Sequence, residues 1–155
     1  MNILVLCTGN SARSILLEAI LNRLGAAHGI RAWSAGSKPT GKVHPQSIRL
    51  LQSLGYPKEG LRSKSWDEFA AVGATEMDLV ITVCGSAAGE TCPFWPGAPL
   101  RTHWGVEDPA AAPQSEWPGA FDAAYAKLLS RAEAFLALTS AQRRNPAELL
   151  RIGKI

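Results

Sequence analysis

The feature that most constrains the fold of this chain is an eight-residue segment between two apolar runs near the N-terminus. The first run, Ile3–Leu6, has the length and composition of a buried strand, and the run that begins at Ile15 has apolar residues at helical spacing. The segment between them, Cys7–Ser14, is made mostly of small residues. The order of strand, loop and helix predicts a βαβ unit, in which a right-handed crossover leads to a parallel neighbouring strand.

The loop also has the residue types of an oxyanion-binding site. Arg13 follows Cys7 by six positions, and Ser14 comes next. Main-chain N–H groups in such a loop, together with the N-terminus of the following helix, attract anions. An arginine donates two parallel hydrogen bonds to a phosphate-like group. The predicted substrate-binding residues are Thr8, Gly9, Asn10, Ser11, Ala12, Arg13 and Ser14.

Cys7 is the predicted nucleophile of this loop. The positive field that attracts an anion also favours the thiolate, so we expect a pKa of ~3.5–7.5 in place of the usual ~8.5. The Ser14 hydroxyl can donate a hydrogen bond to that thiolate. The alternative is an inert Cys7 buried at the end of a strand and a surface Arg13, since this spacing also occurs by chance.

Further along the chain, apolar segments predict three more strands and three long helices. The predicted strands are Ile30–Ala35, Asp78–Val83 and a short one at Leu100–His103. The predicted helices are Ser14–Leu24, Pro45–Leu54 and Phe121–Leu138, with shorter turns at Trp66–Val72 and Ala147–Ile152. The alternation of strands and helices predicts a single α/β domain over residues 1–155, with a doubly wound, four-stranded parallel sheet flanked by helices.

Composition and charge exclude several classes of protein. An apolar fraction of 46% and a charged fraction of 19% are typical of a soluble globular protein. The net charge of +3 suits small anions and is too weak for a nucleic-acid-binding surface; Arg143 and Arg144 are expected to be solvated. No apolar run approaches the ~18 residues of a membrane span, and the N-terminus lacks the basic segment of a signal peptide. We therefore expect a cytoplasmic protein with neither nucleic-acid nor membrane partners.

Two further cysteines extend the predicted site. Cys84 ends a predicted strand, as Cys7 does, and the ligand sites of parallel sheets lie at the carboxyl ends of their strands. Cys92 follows in a long irregular stretch, Gly85–Trp104. The spacing does not fit a C-x2-C motif and no nearby histidine pair is present, so we expect free thiols and no metal site. The alternative is a Cys84 buried in the strand and an incidental Cys92.

These motifs resemble the low-molecular-weight protein tyrosine phosphatase fold family, and within it the arsenate reductases. The resemblance covers roughly residues 1–110 and, besides the loop, is carried by Ser34–Ser37, Ser63–Phe69, Thr82–Cys84, Cys92–Pro96, His103–Gly105 and Asp108–Ala110. The phosphatase branch is expected to have its Asp-Pro pair, with adjacent tyrosines, much nearer the C-terminus. The resemblance therefore implies this α/β fold and an arsenate reductase of arsenic detoxification.

The resemblance assigns catalytic roles to Cys7, Arg13, Cys84, Cys92 and Asp108. Cys7 would attack arsenate held by the loop and Arg13, and Asp108 would protonate the departing oxygen. Cys84 would then attack Cys7, so that arsenite leaves and a disulfide remains. Cys92 would carry this disulfide to the surface, or glutathione would resolve it. The alternative for Asp108 is an Asp-Pro pair that only starts a turn.

The resemblance also implies the partners. No tightly bound cofactor is expected, and an external thiol reductant would be required, either glutathione with glutaredoxin or thioredoxin. Ala12 stands where many relatives have a second loop cysteine, and the gap between Cys84 and Cys92 leaves the choice of donor open. In some relatives a potassium ion is surrounded by positions that correspond here to Asn10, Glu18, Ser34 and Asp67, all oxygen donors suited to a hard cation.

Two other functions are compatible with the same loop. The first is a phosphatase for phosphotyrosine or small phosphate esters, which needs only Cys7, Arg13 and a general acid. The second is an oxyanion-binding or arsenic-sensing module without turnover. The activity of a variant that lacks Cys84 separates the reductase from the phosphatase. Turnover of arsenate with any reductant excludes the binding or sensing module.

Overall fold

The computed structural model describes residues 1–89, 95, 97 and 99–155. Four parallel strands form one sheet in the order β2-β1-β3-β4, which confirms the predicted α/β architecture. The strands are β1 Asn2–Leu6, β2 Arg31–Ala35, β3 Leu79–Thr82 and β4 Leu100–His103. The α-helices are α1 Arg13–Gly25, α2 Pro45–Ser53, α3 Gly85–Gly89, α4 Trp117–Leu136 and α5 Pro146–Ile152.

The register of the sheet brings the carboxyl ends of the strands to one edge. Leu6 at the end of β1 pairs with Ala35 of β2 and Thr82 of β3, and Thr82 pairs with His103 of β4. Cys7 therefore follows the central strand β1 directly, and Cys84 leaves the neighbouring strand β3 at the same level. The topology places both cysteines where a parallel sheet forms its ligand site.

The two faces of the sheet are covered unequally. On one face, Ile3, Val5 and Ile81 pack in a large core with α1, α4 and α5. On the other face, Leu4 and Leu6 belong to a smaller cluster, whose other buried members are Ala35, Phe69, Met77, Val80 and Trp95. This alternation along β1 is expected of a strand that is buried on both sides. Among the described residues, no helix is both long and apolar enough to cross a bilayer.

Several boundaries differ from those predicted. Gly85–Gly89 is helical although its glycines and small residues predicted an irregular segment. The turn after Ser65 is a 3₁₀ helix that ends at Phe69, and Val72 is fully exposed. The last long helix begins at Trp117 because Pro118 fits the first turn, where no N–H donor is needed.

Arg143 is buried, so the expectation that it is solvated was wrong. Its guanidinium donates to the carbonyls of Phe135 and Leu136 at the end of α4, where the last carbonyls of a helix lack the usual intrahelical donors. Arg144, by contrast, is exposed and forms an ion pair with Asp78 at 3.1 Å.

Candidate active site

The loop Cys7–Ala12 is held from outside through its carbonyl groups. The carbonyls of Thr8, Gly9 and Ser11 accept hydrogen bonds from surrounding segments. The donors are the N–H groups of Lys38 (3.0 Å), Thr40 (3.0 Å) and His44 (2.9 Å) and the hydroxyls of Ser47 (3.0 Å) and Ser63 (3.3 Å). In a trans peptide the N–H points opposite to the preceding carbonyl. The N–H groups of Gly9, Asn10 and Ala12, which follow these three carbonyls, therefore point to the inner side of the loop, as in an anion-binding nest.

Asn10 fixes the backbone of this loop. It is fully buried and has a left-handed φ of 45°, a conformation that asparagine tolerates better than most residues. Its side-chain amide donates to the hydroxyls of Ser14 and Ser34, both at 2.9 Å, and its carbonyl oxygen accepts from the N–H of Lys64 at 2.9 Å. These contacts tie the loop to α1, to β2 and to the segment before the 3₁₀ helix Trp66–Phe69.

Gly36 lies directly against the loop, a contact that could not be predicted from the sequence. A Cβ atom at this position would stand 2.3 Å from the Thr8 carbonyl oxygen and 2.6 Å from that of Cys7. The N–H of Gly36 donates to the carbonyl of Lys64 at 2.9 Å, and its carbonyl accepts from Trp66 at 3.0 Å. The motif Ser34–Ser37 is part of the family resemblance, but nothing local to it shows that the chain passes this close to Cys7.

The sulfurs of Cys7 and Cys84 form a buried pair. Only 6% of Cys7 and 4% of Cys84 are exposed, and the two thiols are close enough for each to shift the pKa of the other. Cys84 Sγ also accepts hydrogen bonds from the N–H groups of Thr8 at 3.4 Å and of Ala87 at 3.3 Å. The Thr8 hydroxyl lies 3.7 Å from the same sulfur. The second cysteine is therefore in direct contact with the first residues of the oxyanion loop.

One proton is shared unequally by this pair. The hydrogen bond from Cys7, together with the N–H groups of Thr8 and Ala87, lowers the pKa of Cys84 to about 5. The same hydrogen bond and then burial raise the pKa of Cys7 against the opposing effects of Arg13 and the Gly9 N–H. The predicted lowering of the Cys7 pKa was therefore wrong for the ligand-free site. The physical reason is the neighbouring sulfur of Cys84, which the sequence of the loop does not include.

Arg13 and Asp108 lie together at the mouth of the loop. Arg13 Nη1 donates to the carbonyl of Val106 at 2.8 Å, and Nη2 is 3.7 Å from Asp108 Oδ2. Arg13 Nε is buried and has no partner among the described residues, so it is available as a donor. Asp108 is 45% exposed at its side chain. Its other carboxylate oxygen accepts the N–H of Ala110 at 3.0 Å and caps a 3₁₀ helix, so the turn-starting role predicted as an alternative is also present.

The structure thus brings four of the five predicted catalytic residues to one place: Cys7, Arg13, Cys84 and Asp108. The fifth, Cys92, lies outside the described residues. Ser14 is the second residue of α1, and its hydroxyl accepts a hydrogen bond from the Asn10 amide. Such a site can bind a tetrahedral anion, and the Cys7 sulfur can attack that anion. The Cys84 sulfur can then react with the Cys7 sulfur.

The predicted potassium site is not supported. Asn10, Glu18 and Ser34 do cluster beneath the loop, but Asp67 is exposed. The ammonium group of Lys64 lies 4.0 Å from Glu18 Oε2 and is itself buried, so a cation already stands beside the carboxylate. Elsewhere in the described ranges, no group of three histidine, cysteine or acidic residues converges as a metal centre.

Comparisons with known proteins agree with this site. An arsenate reductase of Brevibacillus brevis is 36% identical over 114 residues, which is 73% of this chain and 78% of that protein. A solved arsenate reductase in its phosphate-binding state matches with a TM-score of 0.69 at 26% identity, over 88% of this chain and 96% of that one. A low-molecular-weight protein tyrosine phosphatase from T. tengcongensis matches with a TM-score of 0.62 at 25% identity, over 83% and 95%.

Both kinds of relative share the fold, so the fold by itself does not separate a reductase from a phosphatase. The family model described as low molecular weight phosphotyrosine protein phosphatase matches residues 2–145. This match spans nearly the whole chain and includes all of the residues placed around the loop. The chain therefore belongs to the low-molecular-weight phosphotyrosine protein phosphatase family.

Proposed function

We propose that this protein is an arsenate reductase that converts arsenate to arsenite through Cys7 and Cys84. The observation that carries the proposal is the meeting of two buried cysteines at the ends of adjacent strands, with Cys84 Sγ 3.4 Å from the N–H of Thr8, the residue that follows Cys7. A phosphatase completes its cycle with water and needs one nucleophile, whereas reduction of As(V) needs a second thiol that reaches the first sulfur. The relative from Brevibacillus brevis, an arsenate reductase, supports the same choice.

The first step is formation of a sulfur–arsenic bond. Arsenate would bind to the inner N–H groups of the loop and to Arg13, whose guanidinium suits a tetrahedral oxyanion. The proton on the sulfur pair moves along the hydrogen bond to Cys84, and the Cys7 thiolate attacks arsenic. Asp108, within 3.7 Å of Arg13, gives a proton to the departing oxygen, which leaves as water.

The second step is the reduction. Cys84 gives its proton to an oxygen of the arsenic group and attacks Cys7 Sγ, so that a sulfur–sulfur bond forms and the sulfur–arsenic bond breaks. The electron pair of the broken bond stays on arsenic, which becomes As(III) and leaves as arsenite. The two thiols together lose the two electrons that arsenic gains, and the product is a Cys7–Cys84 disulfide.

An external thiol must return the protein to its reduced form. We propose that glutathione with glutaredoxin, or thioredoxin, supplies the two electrons. This would place the protein in the cytoplasm, where such reductants keep thiols reduced. Cys92 is proposed to take over the disulfide from Cys84 before the donor acts. No resident cofactor is required, since the protein thiols and the donor account for both electrons.

The test is to replace Cys84 by serine and to measure two reactions. Arsenite production by the pre-reduced Cys84→Ser protein is expected to fall to background, because the thiol that attacks Cys7 is gone. Hydrolysis of p-nitrophenyl phosphate is expected to persist, because Cys7, Arg13 and Asp108 are intact. Cys7→Ser is the matched control and should lose both reactions. A Cys84→Ser protein that reduces arsenate at the wild-type rate would refute the role of Cys84.

The phosphatase is the second candidate, because the match to the T. tengcongensis phosphatase and the single-thiolate loop both favour it. The same pair of assays separates it from the reductase. A wild-type protein that hydrolyses the phosphate ester and forms no arsenite with either donor system, glutathione with glutaredoxin or thioredoxin, would establish the phosphatase instead.

A further inference from the structure

Beneath the oxyanion loop lies a buried ionic cluster made of Glu18 from α1, Ser34 from β2 and Lys64. Only 9% of Glu18 and 6% of Lys64 are exposed, and Ser34 is fully buried. The Ser34 hydroxyl donates to Glu18 Oε2, and the Lys64 ammonium lies 4.0 Å from the same oxygen. Lys64 Nζ also donates to the carbonyl of Arg62 at 2.9 Å. The ammonium therefore sits among oxygen atoms, as a small cation would.

Glu18 needs this cation. A carboxylate removed from water is strongly destabilised unless it is paired and hydrogen-bonded. Burial raises the pKa of Glu18, and the Lys64 charge and the Ser34 hydroxyl act in the opposite direction. Arg62 is committed elsewhere, since its guanidinium forms two hydrogen bonds with Glu68 at 2.9 and 2.7 Å. In the part of the chain that the structure describes, Lys64 is the only cationic group within 4.0 Å of Glu18.

The cluster is joined directly to the oxyanion loop. The N–H of Lys64 donates to Asn10 Oδ1, and the carbonyl of Lys64 accepts the N–H of Gly36. Ser34, the partner of Glu18, accepts from the Asn10 amide at 2.9 Å. Asn10 and Gly36 are two of the residues that hold the loop in place, and both are hydrogen-bonded to the main chain of Lys64.

A cavity leads from the surface to this cluster. It has a volume of about 440 Å³, and Glu18 forms part of its wall together with Asn22, Arg23, Tyr56, Glu59 and Leu61. The side chain of Glu18 is therefore reachable by a small hydrated ion, although the carboxylate is largely buried. If the Lys64 ammonium were absent, an ion from solution would have both a path and a set of oxygen ligands.

We infer that the Lys64 ammonium is the built-in counter-cation of Glu18, in place of the potassium ion that the family resemblance implied, and that it is a positioning residue for the oxyanion loop. The inference rests on the proposed function only in that the loop binds an oxyanion. Its consequence is a protein whose stability and anion affinity do not depend on potassium.

The experiment compares wild-type protein with Lys64→Ala in potassium, sodium and choline chloride at equal ionic strength. The two readouts are the melting temperature and the Kd for inorganic phosphate, and neither requires arsenate turnover. Wild-type protein should give the same values in all three salts. Lys64→Ala should lose on the order of 10 °C in melting temperature in choline chloride, and should recover part of this loss, and of its phosphate affinity, in potassium chloride.

Lys58→Ala is the matched control, since Lys58 is an exposed lysine whose loss removes the same charge. The double variant Glu18→Gln/Lys64→Met keeps the test informative if Lys64→Ala does not fold. It removes both charges at similar volume, and it should be more stable than Lys64→Met alone and insensitive to potassium. A specific gain of wild-type stability in potassium would overturn the inference, and so would a Lys64→Ala protein that matches Lys58→Ala in every salt.

Discussion

At the scale of single residues, the two sulfurs compete for one proton. The Cys84 thiolate is stabilised by the Cys7 thiol, by the N–H groups of Thr8 and Ala87 and by the Thr8 hydroxyl, and its pKa falls to about 5. Cys7 has Arg13 and one N–H in its favour, and these do not offset burial and the adjacent Cys84 sulfur. The resting protein therefore holds its negative charge on the sulfur that acts second, and arsenate binding has to move the proton.

This distribution predicts the thiolate titration of a Cys92→Ser protein, in which only the two site sulfurs remain. Thiolate absorbance near 240 nm should correspond to one thiolate at neutral pH and should be lost as pH falls through about 5. A depressed pKa stabilises the fold above it, so this contribution to the free energy of unfolding is also lost below about pH 5. The two thiols are coupled, so the two titration steps give macroscopic pKa values that belong to the pair and not to either cysteine alone.

Serine substitutions assign the transition. Adding Cys84→Ser should abolish the step near pH 5, because the stabilised sulfur is gone. Adding Cys7→Ser should leave a low step, because the serine hydroxyl can donate to Cys84 in place of the thiol. The reverse pattern, in which Cys7→Ser removes the acidic thiolate and Cys84→Ser keeps it, would show that Cys7 carries the charge.

At the scale of the elements, the oxyanion loop depends on segments that are distant in the chain. Its carbonyls are held by residues that follow β2 and by α2, and Gly36 at the end of β2 lies in contact with the carbonyls of Cys7 and Thr8. The inner N–H groups are free to bind an anion only while these outer contacts persist. The strand end, rather than the loop sequence alone, maintains the shape of the site.

Gly36→Ala tests this dependence. The added Cβ would stand 2.3 Å from a backbone oxygen that no rotamer change can move, so the loop must shift. We expect a loss of about 1–3 kcal/mol in the free energy of unfolding and a clearly weaker Kd for phosphate, measured by denaturant unfolding and by calorimetry.

Gly119→Ala is the control for this variant. Gly119 lies in α4, and a Cβ there would meet no atom within 4 Å. Alanine in a helix is favoured over glycine by up to ~1 kcal/mol, so this change should be neutral or stabilising. If Gly36→Ala bound phosphate as well as Gly119→Ala does, the close contact would not be what shapes the loop.

The elements were predictable from the sequence to different extents. Local patterns were sufficient to predict the parallel sheet and the meeting of two strand ends. These patterns are the apolar run Ile3–Leu6, the small residues of Cys7–Ser14 and the apolar run before Cys84. The helix Gly85–Gly89 was missed because glycine has a poor helix propensity. The burial of Arg143 was missed because its acceptors are carbonyls, which leave no mark on side-chain composition.

The finer parts of the site were not predictable for a different reason. The position of the proton on the sulfur pair depends on a contact between residues 76 positions apart, Thr8 and Cys84. The pairing of Glu18 with Lys64 and the contact of Gly36 with the loop likewise join separate segments. A sequence pattern shows which residue types are present, and only the fold shows which of them meet.

At the scale of the whole molecule, the sheet order explains why one site can contain all of this chemistry. With β1 in the interior and β3 beside it, Cys7 and Cys84 leave neighbouring strands at the same edge. The segment after β4 returns across that edge and brings Val106 and Asp108 to Arg13. The ionic cluster of Glu18 and Lys64 supports the loop from below.

The most direct test of the proposed reaction is a single turnover by pre-reduced Cys92→Ser protein with arsenate and no added reductant. The protein's own thiols contain enough electrons for one arsenate ion, so the account predicts one arsenite per protein. It also predicts a Cys7–Cys84 disulfide, identified by mass spectrometry of the digested protein. Absence of arsenite, with both cysteines still reduced and phosphate-ester hydrolysis intact, would contradict it.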